Sequence, residues 1–186
     1  AGRMRKPRAK PVEPLPILLG PLPGWITATS DETLEQAAFR SGAAVAHLSL
    51  ATTSGEVPAA LWRDRLALLA AEVCVRLAGR REGANMLRDA LHLVRPGDDP
   101  GPGGRVLRQW SRAVARPISV AGLARALEGV TPDRIALCLD AVGATPVDKA
   151  AQVIEAVLAD CPRGETAALI LADAVLARSL GGSHVL

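Results

Sequence analysis

The chain has 186 residues, 49% of them hydrophobic and 2% aromatic, and its formal net charge at pH 7 is +3. Alanine, leucine and arginine favour helices and dominate over the β-branched and aromatic residues that favour strands, which argues against an all-β protein. Five basic residues precede the first acidic residue, Glu13, so residues 11–186 are net negative and a basic domain surface is not expected.

Residues 1–24 are predicted to form a basic, proline-rich tail, and residues 25–186 a helical domain. The basic residues of the tail are Arg3, Arg5, Lys6, Arg8 and Lys10. Such an arm binds nucleic acid in some proteins and is a solvated terminus in others, so both interpretations stay open. The apolar stretch within the tail is interrupted by prolines and too short for a bilayer, so no membrane contact is predicted.

Helical periodicity begins at about residue 31, where Thr29 and Glu32 fit a capping box. Further segments with the same periodicity predict helices over 58–79, 81–94, 103–115, 119–127, 132–142, 146–159 and 165–180. Thr131 and Thr145 each precede a proline, which is the arrangement of an N-cap followed by the first helical residue. No segment alternates in polarity as a strand does. The predicted fold is therefore all-α, a single-domain irregular helical bundle of about seven to eight helices.

The three cysteines, Cys74, Cys138 and Cys161, are odd in number and far apart. Cys74 and Cys138 lie among apolar residues and are predicted to be buried thiols. A zinc site needs closer cysteine pairs or histidines at ligand spacing, so no metal or other cofactor is predicted. Free thiols of this kind suit a reducing compartment, and a cytoplasmic location is predicted.

Segment 95–105, between the third and fourth predicted helices, holds four glycines, three prolines and two adjacent aspartates between two arginines. On the helix before it, basic side chains recur at i, i+4 and i+7 and therefore share one face. We call these residues together the polar corner: Arg88, Asp89, His92, Arg95, Asp98, Asp99 and Arg105.

The polar corner has two interpretations. As a site, its arginines would bind a carboxylate or phosphate, His92 would transfer protons, and Asp98 and Asp99 would hold a magnesium ion. As a structural corner, Asp98 or Asp99 would cap the next helix and pair with an arginine, while glycine and proline set the bend. The segment lacks the Gly-Lys-Ser/Thr end of a phosphate-binding loop.

Residues 119–142 resemble a helix-turn-helix, with a short helix, a glycine turn and a threonine-led second helix. The second helix offers Arg134 as its basic residue, against Asp133 and Asp140. A DNA-reading helix needs basic and amide side chains near its start. Contact of Arg134 with nucleic acid and an ordinary α-hairpin are both open interpretations.

The run LRDALHLVRPGDDPGPGGR, residues 87–105, resembles the most specific motif of the bacterial domain-of-unknown-function family 1403. Residues 37–44, 62–68, 76–80 and 171–178 resemble helices of the same family. The resemblance implies a bacterial, cytoplasmic protein of which this chain is the N-terminal part of a longer family domain. It implies no particular activity.

These observations favour a non-enzymatic protein-interaction or structural module, because no complete catalytic group of residues is present. A protein partner or a second copy of the chain is the expected ligand. One alternative is an enzyme or small-anion binder that uses the polar corner. Another is a DNA-associated protein that uses the basic tail and the hairpin at 119–142.

Overall fold

The computed structural model describes residues 20–28, 31–53 (residue 53 by its backbone), 58–95 and 97–185. Over these residues the chain forms nine helices and no strand, and eight of the helices have seven or more residues. The prediction of an all-α helical bundle is confirmed. The chain divides into two compact units, Ala1–Val57 and Pro58–Leu186. The boundary between tail and domain at residue 25 stays a prediction.

The first unit contains α1, Gly24–Thr27, and α2, Leu34–Thr53. The α2 helix begins with two reciprocal hydrogen bonds: the Gln36 amide donates to the Thr33 hydroxyl at 3.4 Å, and the Thr33 amide donates to the Gln36 side chain at 3.0 Å. The cap therefore lies later than the predicted capping box of Thr29 and Glu32. Thr29 lies outside the described residues, and Glu32 pairs with Arg40 at 2.6 Å.

The second unit contains the other seven helices. They are α3 (Ala59–Leu77), α4 (Ala84–His92), α5 (Gly101–Val114), α6 (Val120–Ala126), α7 (Pro132–Leu139), α8 (Pro146–Asp160) and α9 (Glu165–Ser179). The predicted N-caps at Thr131 and Thr145 are confirmed, since their hydroxyls accept hydrogen bonds from the amides of Arg134 and Asp148. The α4 helix begins three residues later than predicted. The Glu82 carboxylate explains the delay, because it accepts from the Arg80 guanidinium and the Arg81 amide and so stabilises the preceding turn.

Helix α9 lies in the core of the second unit and packs on α3, α5, α7 and α8. Alanines and aliphatic residues around most of its circumference are buried, which lets its neighbours approach closely. Helix α5 contributes Trp110, whose indole N–H donates to the Cys74 sulfur of α3 at 3.3 Å. Trp110 thereby fixes the buried face of α5 in the core, and α5 also contacts α4 and α6.

Candidate functional site

Asp99 is the residue of the polar corner most engaged in structure. One of its carboxylate oxygens accepts from the Gly101 amide at 3.1 Å, and the other pairs with the Arg105 guanidinium at 3.1 Å. The bend before it is closed by a hydrogen bond from the Asp98 amide to the Arg95 carbonyl at 3.0 Å. Asp99 therefore makes an Asx turn that starts α5 and holds Arg105 at the helix surface.

The other residues of the polar corner do not converge on this pair. Arg88 lies 3.7 Å from its neighbour Asp89, and both side chains are exposed. His92 and Asp98 are exposed as well. Among the described residues, no hydrogen bond or ion pair joins these side chains to Asp99, and no group of three potential metal ligands occurs. A binding or catalytic role for the corner stays a prediction.

Two glycines at the start of α5, Gly103 and Gly104, allow α4 and α5 to approach closely. A Cβ atom on Gly104 would lie 2.6 Å from the Pro100 Cβ and 3.5 Å from the Ala90 Cβ. A Cβ atom on Gly103 would lie 2.8 Å from the Leu87 Cδ2. Both glycines are buried at this contact. The geometry explains why glycine occurs twice in succession at the start of a helix, where its low propensity is unfavourable.

Removing the Asp99 carboxylate tests its structural role. We expect Asp99→Ala to lower the free energy of unfolding by about 1 kcal/mol, since it loses a helix-start hydrogen bond and a partly exposed ion pair. The matched variant, Asp98→Ala, removes a neighbouring carboxylate without such bonds and is expected to leave stability within about 0.5 kcal/mol. Urea denaturation followed by circular dichroism measures both. Equal losses would contradict the assignment of the Asx turn to Asp99.

A groove of about 680 Å³ lies on the outer face of α5, between α5 and α6, with α4 at one side. We call it the arginine groove. Its lining residues are Leu91, Arg108, Ser111, Arg112, Ala115, Arg116, Gly122, Arg125 and Ala126. Small and aliphatic residues make up the rest of the lining beside the four arginines. The combination suits a ligand that carries both negative charge and apolar surface.

The charge of the arginine groove is largely uncompensated. Arg108 pairs with Glu128 at 3.2 Å, and its Nε atom is buried without a hydrogen-bond partner in the described part of the chain. Arg112, Arg116 and Arg125 are exposed, and their guanidinium groups pair with no described residue. Positive charge is thus not confined to the tail, contrary to the expectation from the net charge of residues 11–186.

Part of the arginine stripe could have been noticed in the sequence. Arg108 and Arg112 are four residues apart and share one face of α5, and Arg116 follows four residues later, just beyond the helix end. Arg125 lies beyond a helix end and a turn, so its approach to the other three depends on how α6 packs against α5. The stripe was detectable, while the groove depended on tertiary structure.

Of the residues predicted to contact nucleic acid, the structure describes Arg134. Those of the tail, Arg3, Arg5, Lys6, Arg8 and Lys10, are outside the described residues. The Arg134 guanidinium donates to the Ala156 carbonyl at 2.6 Å and pairs with Asp160 at 2.6 Å. In the structure Arg134 therefore connects α7 to α8, and its contact with nucleic acid stays a prediction.

A family model described as "Protein of unknown function (DUF1403)" matches residues 17–186, which include the polar corner and the arginine groove. The chain belongs to the DUF1403 family. The resemblance seen in the sequence is confirmed. Neither the curated proteins nor the solved structures yielded a match to this DUF1403 chain. None of its described helices combines the length and the apolar character that crossing a membrane requires.

The thiols of the DUF1403 chain offer no activated nucleophile in the core. Cys74 and Cys138 are buried, as predicted, and Cys161 is exposed; all three are free. Burial raises the pKa of the Cys74 and Cys138 thiols, so the reactive thiolate is disfavoured at both. These two cysteines act as small apolar residues of the core.

Proposed function

We propose that this DUF1403 chain is a non-enzymatic protein-interaction module of the bacterial cytoplasm, and that it binds an acidic segment of a protein partner in the arginine groove. The observation that carries the proposal is the set of three exposed guanidinium groups that pair with no described residue and that lie beside small and aliphatic residues of the groove lining. Guanidinium groups bind carboxylates in a bidentate manner, and the apolar part of the lining offers a contact surface to an apolar side chain of the partner.

An acidic protein segment fits this groove better than nucleic acid does. Nucleic-acid binding relies on an extended positive surface, because many phosphates must be neutralised. Here four arginines meet in one groove, whereas residues 11–186 as a whole are net negative. A long polyanion would extend beyond the groove to residues whose net charge is negative, whereas a short acidic segment interacts mainly with the local charges.

The cysteines and the polar corner support the other parts of the proposal. Three free thiols, two of them buried, suit a reducing compartment such as the cytoplasm. At the corner, the Asp99 carboxylate is occupied by Gly101 and Arg105, which favours a structural role there over a catalytic one.

Charge reversal in the groove tests the proposal. The test variant replaces Arg112, Arg116 and Arg125 by glutamate, and its ligand is a fluorescently labelled poly-glutamate peptide in low-salt buffer. We expect fluorescence anisotropy to show at least about tenfold weaker binding than for the wild type, since attraction becomes repulsion at three exposed positions.

A matched control variant distinguishes the effect of the groove arginines from the effect of the net charge. It replaces three other exposed arginines, Arg65, Arg81 and Arg163, by glutamate and so changes the net charge equally. We expect its affinity for the peptide to stay within about threefold of the wild type, because screening limits the effect of distant charges. Equal losses in both variants, or tighter binding of duplex DNA than of the peptide by the wild type, would contradict the proposal.

A further inference from the structure

We infer that two copies of the chain associate through the solvent-facing side of α3, with the two α3 helices antiparallel. The inference is independent of the arginine groove, because no residue that lines the groove belongs to α3. Its evidence is an exposed apolar strip whose spacing is the same in both directions, together with two charged residues beside the strip.

Helix α3 has apolar residues on two opposite faces. Its inner face packs in the core of the second unit through Ala67, Ala71, Cys74 and Val75, which are all buried. On the opposite face, apolar residues recur at i, i+4, i+7 and i+11, which is the spacing of a helix that packs along another helix. We call these residues the α3 outer face: Trp62, Leu66, Leu69 and Val73.

The α3 outer face is open to a partner. Leu69 is 55% exposed and Val73 is 42% exposed, and Leu77, one turn further along, is 66% exposed. Trp62 and Leu66 are half-buried. The solvent-facing side of a surface helix is usually polar, so a continuous apolar strip at this position indicates an interaction surface.

The α3 outer face is complementary to a reversed copy of itself. Its residues follow one another at steps of four, three and four, and this series is the same in both directions. In an antiparallel pair, Leu66 of each copy therefore lies opposite Leu69 of the other, and Trp62 lies opposite Val73. Two-fold symmetry forms each of these contacts twice, so every apolar residue of the face is covered by an apolar residue.

The charges beside the α3 outer face favour the same arrangement. Arg65 and Glu72 lie on one flank of the face, and neither forms an ion pair with a described residue. In the antiparallel pair, Arg65 of one copy and Glu72 of the other are two residues apart in height, about 3 Å along the axis, so two ion pairs form. A parallel pair would place Arg65 beside Ala70 and Glu72 beside Leu77 of the other copy and would form no such ion pair. The charges therefore select a second copy in the antiparallel direction.

Sedimentation equilibrium of the whole chain tests the association. One helix face from each copy is smaller than a standard interface, so we expect a reversible dimer whose average mass rises from 19.3 kDa towards twice that value between about 1 and about 500 µM. Leu69→Glu should weaken association at least about tenfold, because it places a charge in each apolar contact that Leu69 makes. Leu34→Glu replaces another exposed leucine, at the start of α2, and should leave the association constant within about twofold of the wild type.

A charge exchange tests the antiparallel register. Arg65→Glu and Glu72→Arg should each weaken association about fivefold, because each change replaces two attractive contacts of the dimer by two repulsive ones. The double variant, which carries both changes, restores opposite charges across the pair and should associate within about twofold of the wild type. Circular dichroism of each variant checks that the helical fold is kept.

A wild-type chain that stayed monomeric over this concentration range would overturn the inference, as would a dimer that was insensitive to Leu69→Glu. A double variant that associated no better than the single variants would show that the helices do not pair in the antiparallel register. None of these results would affect the binding of acidic segments, which uses residues outside α3.

Discussion

The contribution of Asp173 to the free energy of unfolding is expected to fall by about 4 kcal/mol between pH 4 and pH 8, and Asp173→Asn is expected to abolish this fall. Asp173 lies on α9, and burial raises its pKa from 3.8 to about 7. No hydrogen bond or ion pair to a described residue offsets its burial. Asp173 is half-buried, and this loss of contact with water makes ionisation of its carboxyl unfavourable.

The sign follows from proton linkage. The folded chain holds the Asp173 proton more tightly than the unfolded chain, whose carboxyl has a pKa near 3.8. The resulting stabilisation of the folded chain is complete below pH 3.8 and is lost as the pH rises towards about 7. Two other carboxyls among the described residues, those of Glu35 and Glu82, have lowered pKa values. Their contributions to stability therefore change in the opposite direction, falling as the pH becomes acidic. The difference between wild type and variant isolates Asp173.

Urea denaturation at several pH values between 4 and 8 measures the effect. Asp173→Asn should become increasingly more stable than the wild type as the pH rises. Glu155→Gln neutralises an exposed carboxyl on α8 and should show no such trend. A variant Asp173→Asn that followed the pH dependence of the wild type would show that the Asp173 carboxyl reaches water.

Local sequence predicted those helix ends that depend on neighbouring residues. Thr131 and Thr145 were correctly assigned as caps, because each threonine hydroxyl accepts a hydrogen bond from an amide in the first turn of its own helix. This bond is local and does not depend on how other helices pack. At α2, Thr29 with Glu32 and Thr33 with Gln36 offer the same spacing. The sequence did not distinguish them, and in the structure Thr33 and Gln36 form the reciprocal bonds while Glu32 pairs with Arg40.

The candidate site was less predictable because it depends on packing between helices. In the polar corner, the sequence offered Asp98 and Asp99 equally as the residue that starts the next helix. In the structure the chain turns at Gly97, and the Asp99 carboxylate contacts Gly101 and Arg105. The arginine groove combines residues of α5 with Arg125 of α6, which no local pattern brings together. The net charge of residues 11–186 did not indicate the groove either, because acidic residues elsewhere in the sequence outweigh the arginines of the groove in that sum.

The second large effect is expected at the start of α5. Gly104→Ala should lower the free energy of unfolding by about 1–3 kcal/mol, although alanine has the higher helix propensity. Its methyl group would lie 2.6 Å from the Pro100 Cβ, and the proline ring cannot rotate away as a flexible side chain does. To relieve the clash, Pro100 and the first turn of α5 must shift relative to one another. Urea denaturation at fixed pH measures the loss.

Gly103→Ala supplies the comparison, because it adds the same methyl group at the neighbouring position. Its closest neighbour is the Leu87 Cδ2 at 2.8 Å, which a change of rotamer can move. The gain in helix propensity, up to about 1 kcal/mol, should offset much of that cost and leave Gly103→Ala the more stable variant. The reverse order would contradict a rigid contact between Pro100 and Gly104. The predicted order would mean that Gly104 is needed beside Pro100 to form the start of α5, independently of any ligand.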